Sequence, residues 1–486
     1  MSVVLRGGRV IDPGSGLDEI TDVLVEGDAV RAVGSGLVAD HVMDVRGFVV
    51  GPGFVDLHSH VHTIAGQRLQ AFDGVTTALD LEAGLMPVSK AYADAAAEGR
   101  PLHYGFSASW GGARGVVLAG VDQEASIVKG LSILGNEDWQ RSSTPAELDR
   151  WLGLLRTELA GGALGIGVLM GYAPRTAPAE LVAVARLAAE AGVATFTHVR
   201  ELIESDPTTP VDGSTEIARV AAETGAQMHH CHVNSTSRRH IDRVLRTLAA
   251  AQAEGSRVSV EAYPYGAAST GVGAYFLAPE RLPAWQLTPR SIIVVATGER
   301  LASEDRLREL RATQPGTPVI VELLDEAIEA DRLLLTRSLV FPDTIIASDA
   351  MPLFFPDGTI ESRAWPLPPR GQTHPRTAGT FCKSLRLMVG SGAWSWLEGF
   401  RRCSWLPARV LDFVPDAHRK GHLGVGADAD IVVLDPSTLT DTATYFEPAK
   451  PSVGVRHLLV RGEAVVRDGE LVTHAFPGRP LRAQPR

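Results

Sequence analysis

The fold is decided by the stretch Gly51-Pro52-Gly53-Phe54-Val55-Asp56-Leu57-His58-Ser59-His60. An apolar run after a Gly-Pro-Gly turn predicts a buried strand, and side chains two residues apart on a strand share one face. His58 and His60 are therefore expected to project together from the carboxyl end of this strand. Two imidazoles placed in this way can hold one metal ion between them.

Short apolar runs recur along the middle of the chain, and helical patterns separate most of them. The predicted strands are 53–58, 75–81, 103–108, 163–168, 193–198, 226–232, 257–263 and 345–349. Helices are predicted at 178–191 and 236–254, where apolar residues recur at helical spacing and a glycine follows. This alternation predicts an α/β fold built on a parallel (β/α)8 TIM barrel.

Two segments fit the alternation less well. Residues 264–344 are too long for one crossover and contain extra strand-like runs at 292–295 and 319–321. The glycine-rich residues 111–115 lack the strand-to-helix context of a phosphate-binding loop, and we expect a flexible loop there.

Both ends of the chain contain short β runs interrupted by glycine. They include Val3-Val4-Leu5 and Val23-Leu24-Val25 near the start, and Ile431-Val432-Val433-Leu434 near the end. Neither end has enough strands for a stable sheet, so we expect both to pair into one small β-sandwich domain. The predicted domains are 1–52 with 415–486 for the β-sandwich and 53–414 for the barrel. Two separate β appendages are the alternative.

Composition argues against several classes of function. The chain has 486 residues, a formal net charge of −11 and no basic stripe, which argues against nucleic-acid binding. Its three cysteines indicate a reducing compartment without a disulfide framework. The amino terminus lacks the pattern of a signal peptide, and no apolar run reaches the roughly 18 residues of a membrane span. We therefore expect a cytoplasmic protein without a membrane or nucleic-acid partner.

Ligand-type side chains follow the ends of other predicted strands. Glu82 follows the second strand, His198 ends the fifth, His232 ends the sixth and Asp349 ends the last. Barrel enzymes place their chemistry at the carboxyl ends of the strands, where the first-strand histidines also lie. A mixed set of imidazoles and carboxylates suits one or two divalent ions, Zn²⁺ above all, with iron or manganese as alternatives. For Glu82 alone, a solvated loop carboxylate is the alternative.

Four further stretches carry a family likeness. They are Gly162-Ala163-Leu164-Gly165-Ile166-Gly167, Thr197-His198-Val199-Arg200-Glu201, Tyr263-Pro264-Tyr265-Gly266-Ala267-Ala268-Ser269-Thr270 and His374-Pro375-Arg376-Thr377-Ala378-Gly379-Thr380-Phe381. With residues 51–60 and the strand-end ligands, they resemble the amidohydrolase superfamily of metal-dependent barrels. Within it, they resemble the N-acyl-D-amino-acid deacylase (D-aminoacylase) group. The likeness also covers residues 424–432 and so spans nearly the whole chain.

The resemblance implies metal-binding roles for the matching positions. The first-strand histidines and Asp349 would form one metal site, and His198 and His232 would contribute to a second. Glu82 stands where these deacylases have a cysteine ligand. A carboxylate can bridge two ions as a thiolate does, but it is a harder ligand.

The same likeness implies a site for a substrate carboxylate. Arg376, in its His-Pro-Arg setting, resembles the family's carboxylate-binding arginine, and Tyr263 and Ser269 would assist it with hydrogen bonds. Asn234 stands where the family has a lysine and cannot supply that charge. The alternatives are that Arg376 holds a loop through a salt bridge and that Tyr263 and Ser269 are packing and turn residues.

The expected reaction is hydrolysis of the amide bond of a small N-acyl amino acid, of the D series by family likeness. A zinc-type ion lowers the pKa of bound water to about 7 and so supplies hydroxide for attack on the amide carbonyl. Asp349 would accept the proton and deliver it to the leaving nitrogen. The alternatives are a cyclic-amide hydrolase of the hydantoinase or dihydroorotase type and a non-catalytic scaffold. A homo-oligomer is left open.

Overall fold

The computed structural model describes residues 2–122 and 126–484. Its strands are β1 Ser2–Asp12, β2 Leu17–Glu26, β3 Ala29–Gly34, β4 His41–Asp44, β5 Val49–Pro52, β6 Phe54–Asp56, β7 Val75–Leu85, β8 His103–Ser109, β9 Ile166–Leu169, β10 Ala194–His198, β11 Gln227–His230, β12 Val258–Ala262, β13 Ala267–Gly271, β14 Ile292–Val294, β15 Pro318–Glu322, β16 Ile345–Ile346, β17 Ile431–Leu434, β18 Val455–Val460, β19 Glu463–Arg467 and β20 Glu470–Leu471.

The α-helices lie mostly between the strands of the middle of the chain. They are α1 Ile64–Phe72, α2 Val88–Glu98, α3 Trp110–Arg114, α4 Ile127–Ile133, α5 Glu137–Gln140, α6 Pro145–Ala160, α7 Pro178–Ala191, α8 Gly213–Thr224, α9 Val233–Ser237, α10 Ile241–Ala253, α11 Glu304–Thr313, α12 Glu329–Val340, α13 Arg376–Gly390, α14 Trp396–Phe400 and α15 Leu406–Val410. Among the described residues, no helix combines the length and the apolar character needed to cross a membrane.

Eight strands follow the order of a (β/α)8 TIM barrel, β6-β7-β8-β9-β10-β11-β12-β16. Their pairing is parallel; Thr195 of β10, for example, lies opposite Ile166 of β9 and Met228 of β11. Each predicted strand overlaps one of these eight, so the predicted fold class is confirmed. Beyond β6 and β16, Ser59 and Ala350 form one further parallel bridge.

The segment 264–344, which is too long for one crossover, contains additional strands, as its strand-like runs predicted. Strands β13, β15 and β14 form a three-stranded antiparallel sheet in that order. The strand-like runs at 292–295 and 319–321 overlap β14 and β15. This sheet carries Ser269 in β13, opposite Ile320 of β15.

The two chain ends build one sheet. Its order is β20-β19-β18-β17-β5-β1-β2-β3, with β4 paired to β1. Neither end closes the sheet alone, because β17 from the end of the chain pairs antiparallel with β5 from its start, Ile431 opposite Pro52. The small β domain from both ends is confirmed and the alternative of two appendages is wrong, whereas the limits 1–52, 415–486 and 53–414 stay a prediction. The core of this sheet includes Val10, Val23, Val50, Val433 and Leu459.

The expected flexible loop at residues 111–115 is wrong. These residues lie in α3 and at the start of a π-helix, Gly115–Ala119. The Ser109 hydroxyl caps α3 by accepting the Gly112 N–H at 3.1 Å. The buried Arg114 guanidinium donates to Glu180 at 2.5 Å, and this ion pair fixes the end of α3.

The predicted helix at 178–191 is confirmed as α7, which ends at Gly192 with a φ of +67°. The helix predicted at 236–254 is divided: residues 236–237 end α9, and most of the rest forms α10. Arg238 interrupts it, because this residue adopts a φ of +48° and separates α9 from α10. A left-handed residue cannot continue an α-helix.

The chain divides into two compact units. Unit 1 comprises Met1–Leu79, Asp94–Gly105 and Ile345–Leu481, and therefore contains the nine-stranded sheet. Unit 2 comprises Asp80–Ala93, Phe106–Thr344 and Arg482–Arg486, and contains the barrel strands β9 to β12, parts of β7 and β8, and the three-stranded sheet.

Candidate active site

Unit 1 contains a cluster of His58, His60 and Asp349, named the His58 cluster. The histidines follow β6 and the carboxylate follows β16. His58 Nε2 lies 3.1 Å from His60 Nε2, and Asp349 Oδ1 lies 3.4 Å from the first nitrogen and 3.6 Å from the second. All three side chains are buried. Two imidazole nitrogens and one carboxylate oxygen therefore converge, as the His-x-His spacing predicted for the histidines.

Asp56 joins the two strand ends that carry this cluster. Its Oδ1 accepts the main-chain N–H groups of His58 at 3.2 Å and Ser348 at 3.0 Å. Its Oδ2 accepts from Gln70 Nε2 at 2.9 Å and from the Ser348 hydroxyl. Burial raises the pKa of Asp56 to about 7, although these hydrogen bonds favour the charged form. The sequence reasoning missed Asp56, whose signal is an acidic residue inside a buried apolar run.

Unit 2 contains a second cluster, of Glu82, His198 and His232, named the Glu82 cluster. A single oxygen, Glu82 Oε1, lies 3.0 Å from His198 Nδ1 and 2.9 Å from His232 Nε2. Glu82 is 4% exposed, so it is not a solvated loop carboxylate. The two imidazole rings meet edge to face, with centroids 4.6 Å apart.

Glu261 of β12 is hydrogen-bonded to the main chain of His232. One of its oxygens accepts the main-chain N–H of His232 at 3.2 Å, and the other lies 2.9 Å from His229 Nε2. His232 has a φ of +34°, a left-handed conformation that a non-glycine residue rarely adopts. The sequence reasoning missed this role of Glu261; the signal was an acidic residue inside a buried barrel strand.

Aromatic rings fix the orientation of His198. The Tyr172 ring lies 4.5 Å from the imidazole, centroid to centroid, and the Phe276 ring stacks parallel to it at 6.2 Å. Phe276 itself stacks on Trp285 at 4.8 Å. The Glu82 cluster therefore has a rigid apolar wall on the side of His198.

The residues predicted to bind the substrate lie in different elements. Arg376 is fully buried at the start of α13 in unit 1. In unit 2, Asn234 of α9 accepts the main-chain N–H of Tyr263 through its Oδ1 at 3.3 Å. Ser269 Oγ is buried in β13 and has no hydrogen-bond partner within the described residues. The structure thus brings Asn234 and Tyr263 together, and it places the Arg376 guanidinium against Asp349, with Nη2 2.8 Å from Oδ1.

Both clusters have donor atoms and spacings that fit a divalent ion. In a tetrahedral site with metal–ligand bonds of ~2.0–2.1 Å, neighbouring ligand atoms lie roughly 3.3–3.4 Å apart. The three separations in the His58 cluster are 3.1, 3.4 and 3.6 Å. In the Glu82 cluster, the carboxylate oxygen and the two imidazole nitrogens lie within 4.8 Å of one another. Imidazole nitrogen with carboxylate oxygen is a donor set that zinc, iron and manganese accept.

A TIM barrel with imidazole and carboxylate clusters after its strands is the architecture of a metal-dependent hydrolase. The chain belongs to the amidohydrolase family, whose family model matches residues 41–466.

Relatives within this family include a D-aminoacylase of Alcaligenes xylosoxydans xylosoxydans, 28% identical over 506 residues, or 99% of this chain and 97% of the relative. A solved N-acyl-D-glutamate deacylase of Bordetella bronchiseptica, bound to zinc and a phosphonate inhibitor, superposes with a TM-score of 0.76 at 23% identity, over 99% of both chains. A solved D-aminoacylase with a binuclear metal centre gives a TM-score of 0.77 at 22% identity, over 99% of both chains. The fold is therefore shared along the whole chain.

Proposed function

We propose that this protein is a metal-dependent deacylase that hydrolyses N-acyl-D-amino acids to a carboxylate and a free D-amino acid. The observation that carries the proposal is the His58 cluster, in which two imidazole nitrogens and one carboxylate oxygen converge after barrel strands. No packing requirement calls for these three side chains together in a buried position. The D series rests on the full-length similarity to a D-aminoacylase.

The metal complement is proposed to be two divalent ions, with Zn²⁺ as the first candidate. The His58 cluster would hold one ion and the Glu82 cluster the other. A zinc-bound deacylase and a D-aminoacylase with a binuclear centre among the relatives support this assignment. When bound, such ions polarise the amide carbonyl and lower the pKa of water.

Asp349 is proposed to be the proton carrier. Its Oδ1 lies within 3.6 Å of both imidazole nitrogens of the His58 cluster and would bind the ion with them, while the second carboxylate oxygen would accept a proton from the attacking water. It would then deliver the proton to the leaving nitrogen, because an amine anion is too poor a leaving group.

The substrate carboxylate is proposed to be bound by Ser269, Tyr263 and Asn234, which lie in unit 2. The buried Ser269 Oγ, which has no hydrogen-bond partner in the described part of the chain, supports a contact with a ligand. Asn234 accepts a main-chain N–H, so its side chain offers an amide donor and no charge. A cytoplasmic location is proposed from the three cysteines, which are buried and free.

The test is a substrate panel with the Zn²⁺-loaded protein. It contains matched N-acetyl-D- and N-acetyl-L-amino acids, a hydantoin and a dihydropyrimidine, with the Asp349→Asn variant as the inactive control. We expect hydrolysis of N-acetyl-D-amino acids in preference to their L forms. If the protein opens the cyclic amides and hydrolyses no N-acyl amino acid, it is a cyclic-amide hydrolase. If the metal-loaded protein is inactive on every compound, the result supports the alternative of a non-catalytic scaffold.

A further inference from the structure

Arg376 contacts both the main chain and the side chain of Asp349. Its Nε donates to the Asp349 carbonyl oxygen at 2.6 Å, and its Nη2 lies 2.8 Å from Asp349 Oδ1. The guanidinium is fully buried. A planar group that contacts one residue at two points restricts the backbone and the carboxylate of that residue together.

Asp349 needs such support because of its backbone conformation. Its φ is +50°, in the left-handed region that non-glycine residues rarely adopt. A conformation of this kind persists only where the surroundings hold it. On its amino side, Ser348 is held by Asp56, and on its carboxyl side, the Ala350 N–H donates to the His58 carbonyl at 3.3 Å. Arg376 supplies the contact to the carbonyl of Asp349 itself.

The His-Pro-Arg motif places Arg376 accurately. The main-chain N–H of Arg376 donates to His374 Nδ1 at 3.0 Å, and its carbonyl accepts the Thr380 hydroxyl at 2.9 Å, one helical turn later. Arg376 is also the first residue of the 15-residue helix α13. The guanidinium therefore extends from a helix start that is fixed on both sides.

We propose that Arg376 is a positioning residue, which holds the Asp349 carboxylate in the direction needed for proton transfer in the proposed deacylation. The contacts that carry the proposal meet at one oxygen: Asp349 Oδ1 lies near Arg376 Nη2 and also within 3.6 Å of His58 Nε2 and His60 Nε2. The proposal rests on the proposed function, and it differs from the carboxylate-binding role that the motif resemblance implies. A positioning residue acts on kcat, whereas a carboxylate-binding residue acts on KM.

The experiment compares Arg376→Lys and Arg376→Gln with wild type in the Zn²⁺-loaded protein. Each is assayed with an N-acyl-D-amino acid and with the carboxamide of the same compound. We expect kcat to fall by at least about tenfold with both substrates, while KM changes by no more than about twofold. Lysine keeps the charge but cannot reproduce the two-point contact, so Arg376→Lys should not restore kcat. The matched control is Arg402→Lys, a buried arginine that donates to Glu398 at 2.6 Å outside both clusters.

Two results would overturn the proposal. One is a rise in KM confined to the carboxylate substrate with kcat unchanged, and the other is wild-type kinetics in both variants. A crystal structure of Arg376→Lys gives a readout that needs no turnover: we expect the Asp349 carboxylate to leave its position beside His58 and His60. An undisplaced carboxylate would refute positioning even if the protein hydrolyses no N-acyl amino acid, whereas wild-type inactivity alone counts against the proposed function only.

Discussion

Replacing Glu82 with glutamine tests whether the Glu82 carboxylate is a metal ligand. Glu82 Oε1 contacts His198 Nδ1 at 3.0 Å and His232 Nε2 at 2.9 Å, so one charge serves two imidazoles. These three atoms are also the ones proposed to bind an ion. Glutamine replaces the anionic ligand oxygen with a neutral amide oxygen, which attracts a divalent cation less strongly and leaves two neutral imidazoles as the other ligands. We predict that Glu82→Gln lowers metal affinity or kcat/KM at least tenfold, about 1.4 kcal/mol.

The assay measures bound Zn²⁺ per chain, its affinity by competition with a chelator, and kcat/KM with an N-acyl-D-amino acid. Glu190→Gln is the matched control, because Glu190 is exposed on α7 of the same unit. Equal thermal midpoints in the two variants would show that the fold is intact. If Glu82→Gln binds metal and turns over substrate as the control does, the Glu82 carboxylate is not a metal ligand.

Three further predictions concern metal, proton transfer and pH. His58→Ala or His232→Ala should remove at least one divalent ion per chain, because each loses an imidazole nitrogen; a fully active metal-free preparation, measured by elemental analysis, would contradict this. Asp349→Asn should keep part of the metal but lose all but a few per cent of turnover, since an amide keeps an oxygen ligand and cannot carry the proton; higher residual activity would assign the proton to another group. Burial raises the pKa of Asp73 to about 7 from its ordinary 3.8, so the folded state favours the protonated form. The stability from this group is complete below pH ~4 and is lost as the pH rises to about 7; Asp73→Asn should reduce the difference between urea midpoints at pH 5 and pH 8, and an unchanged difference would refute it.

The barrel strands could be predicted because each is a short apolar run between helical patterns. Four of them end earlier than predicted, and two of these four do so for the same reason. The strand predicted at 345–349 ends at Ile346, and that at 226–232 ends at His230. The residues lost from each strand include Asp349 and His232, whose left-handed φ values break the extended conformation. A periodicity of two cannot reveal such a break, because it depends on distant side chains.

The candidate ligands were predictable from strand position, whereas the residues that hold them were not. Asp56 and Glu261 are acidic residues within barrel strands. Single-sequence patterns do not say from which distant N–H groups their carboxylates accept hydrogen bonds. Arg376 illustrates the same limit more sharply. Motif resemblance implied contact with a substrate, while its alternative, a salt bridge that holds the local chain, describes the observed contact with Asp349. The partner could not be read from sequence because 26 residues lie between Asp349 and Arg376 and contain no regular pattern.

His232 and Asp349 share a left-handed backbone conformation. Each residue follows a barrel strand, and each conformation costs on the order of 1–3 kcal/mol. In unit 2, the carboxylate of Glu261 accepts the main-chain N–H of His232; in unit 1, the guanidinium of Arg376 donates to the main-chain carbonyl of Asp349. An anion thus holds one strand end and a cation the other, each matched to the polarity of the backbone group it contacts. Because these charges act on the backbone of a candidate ligand, a substitution at either position should displace that ligand before it unfolds the chain.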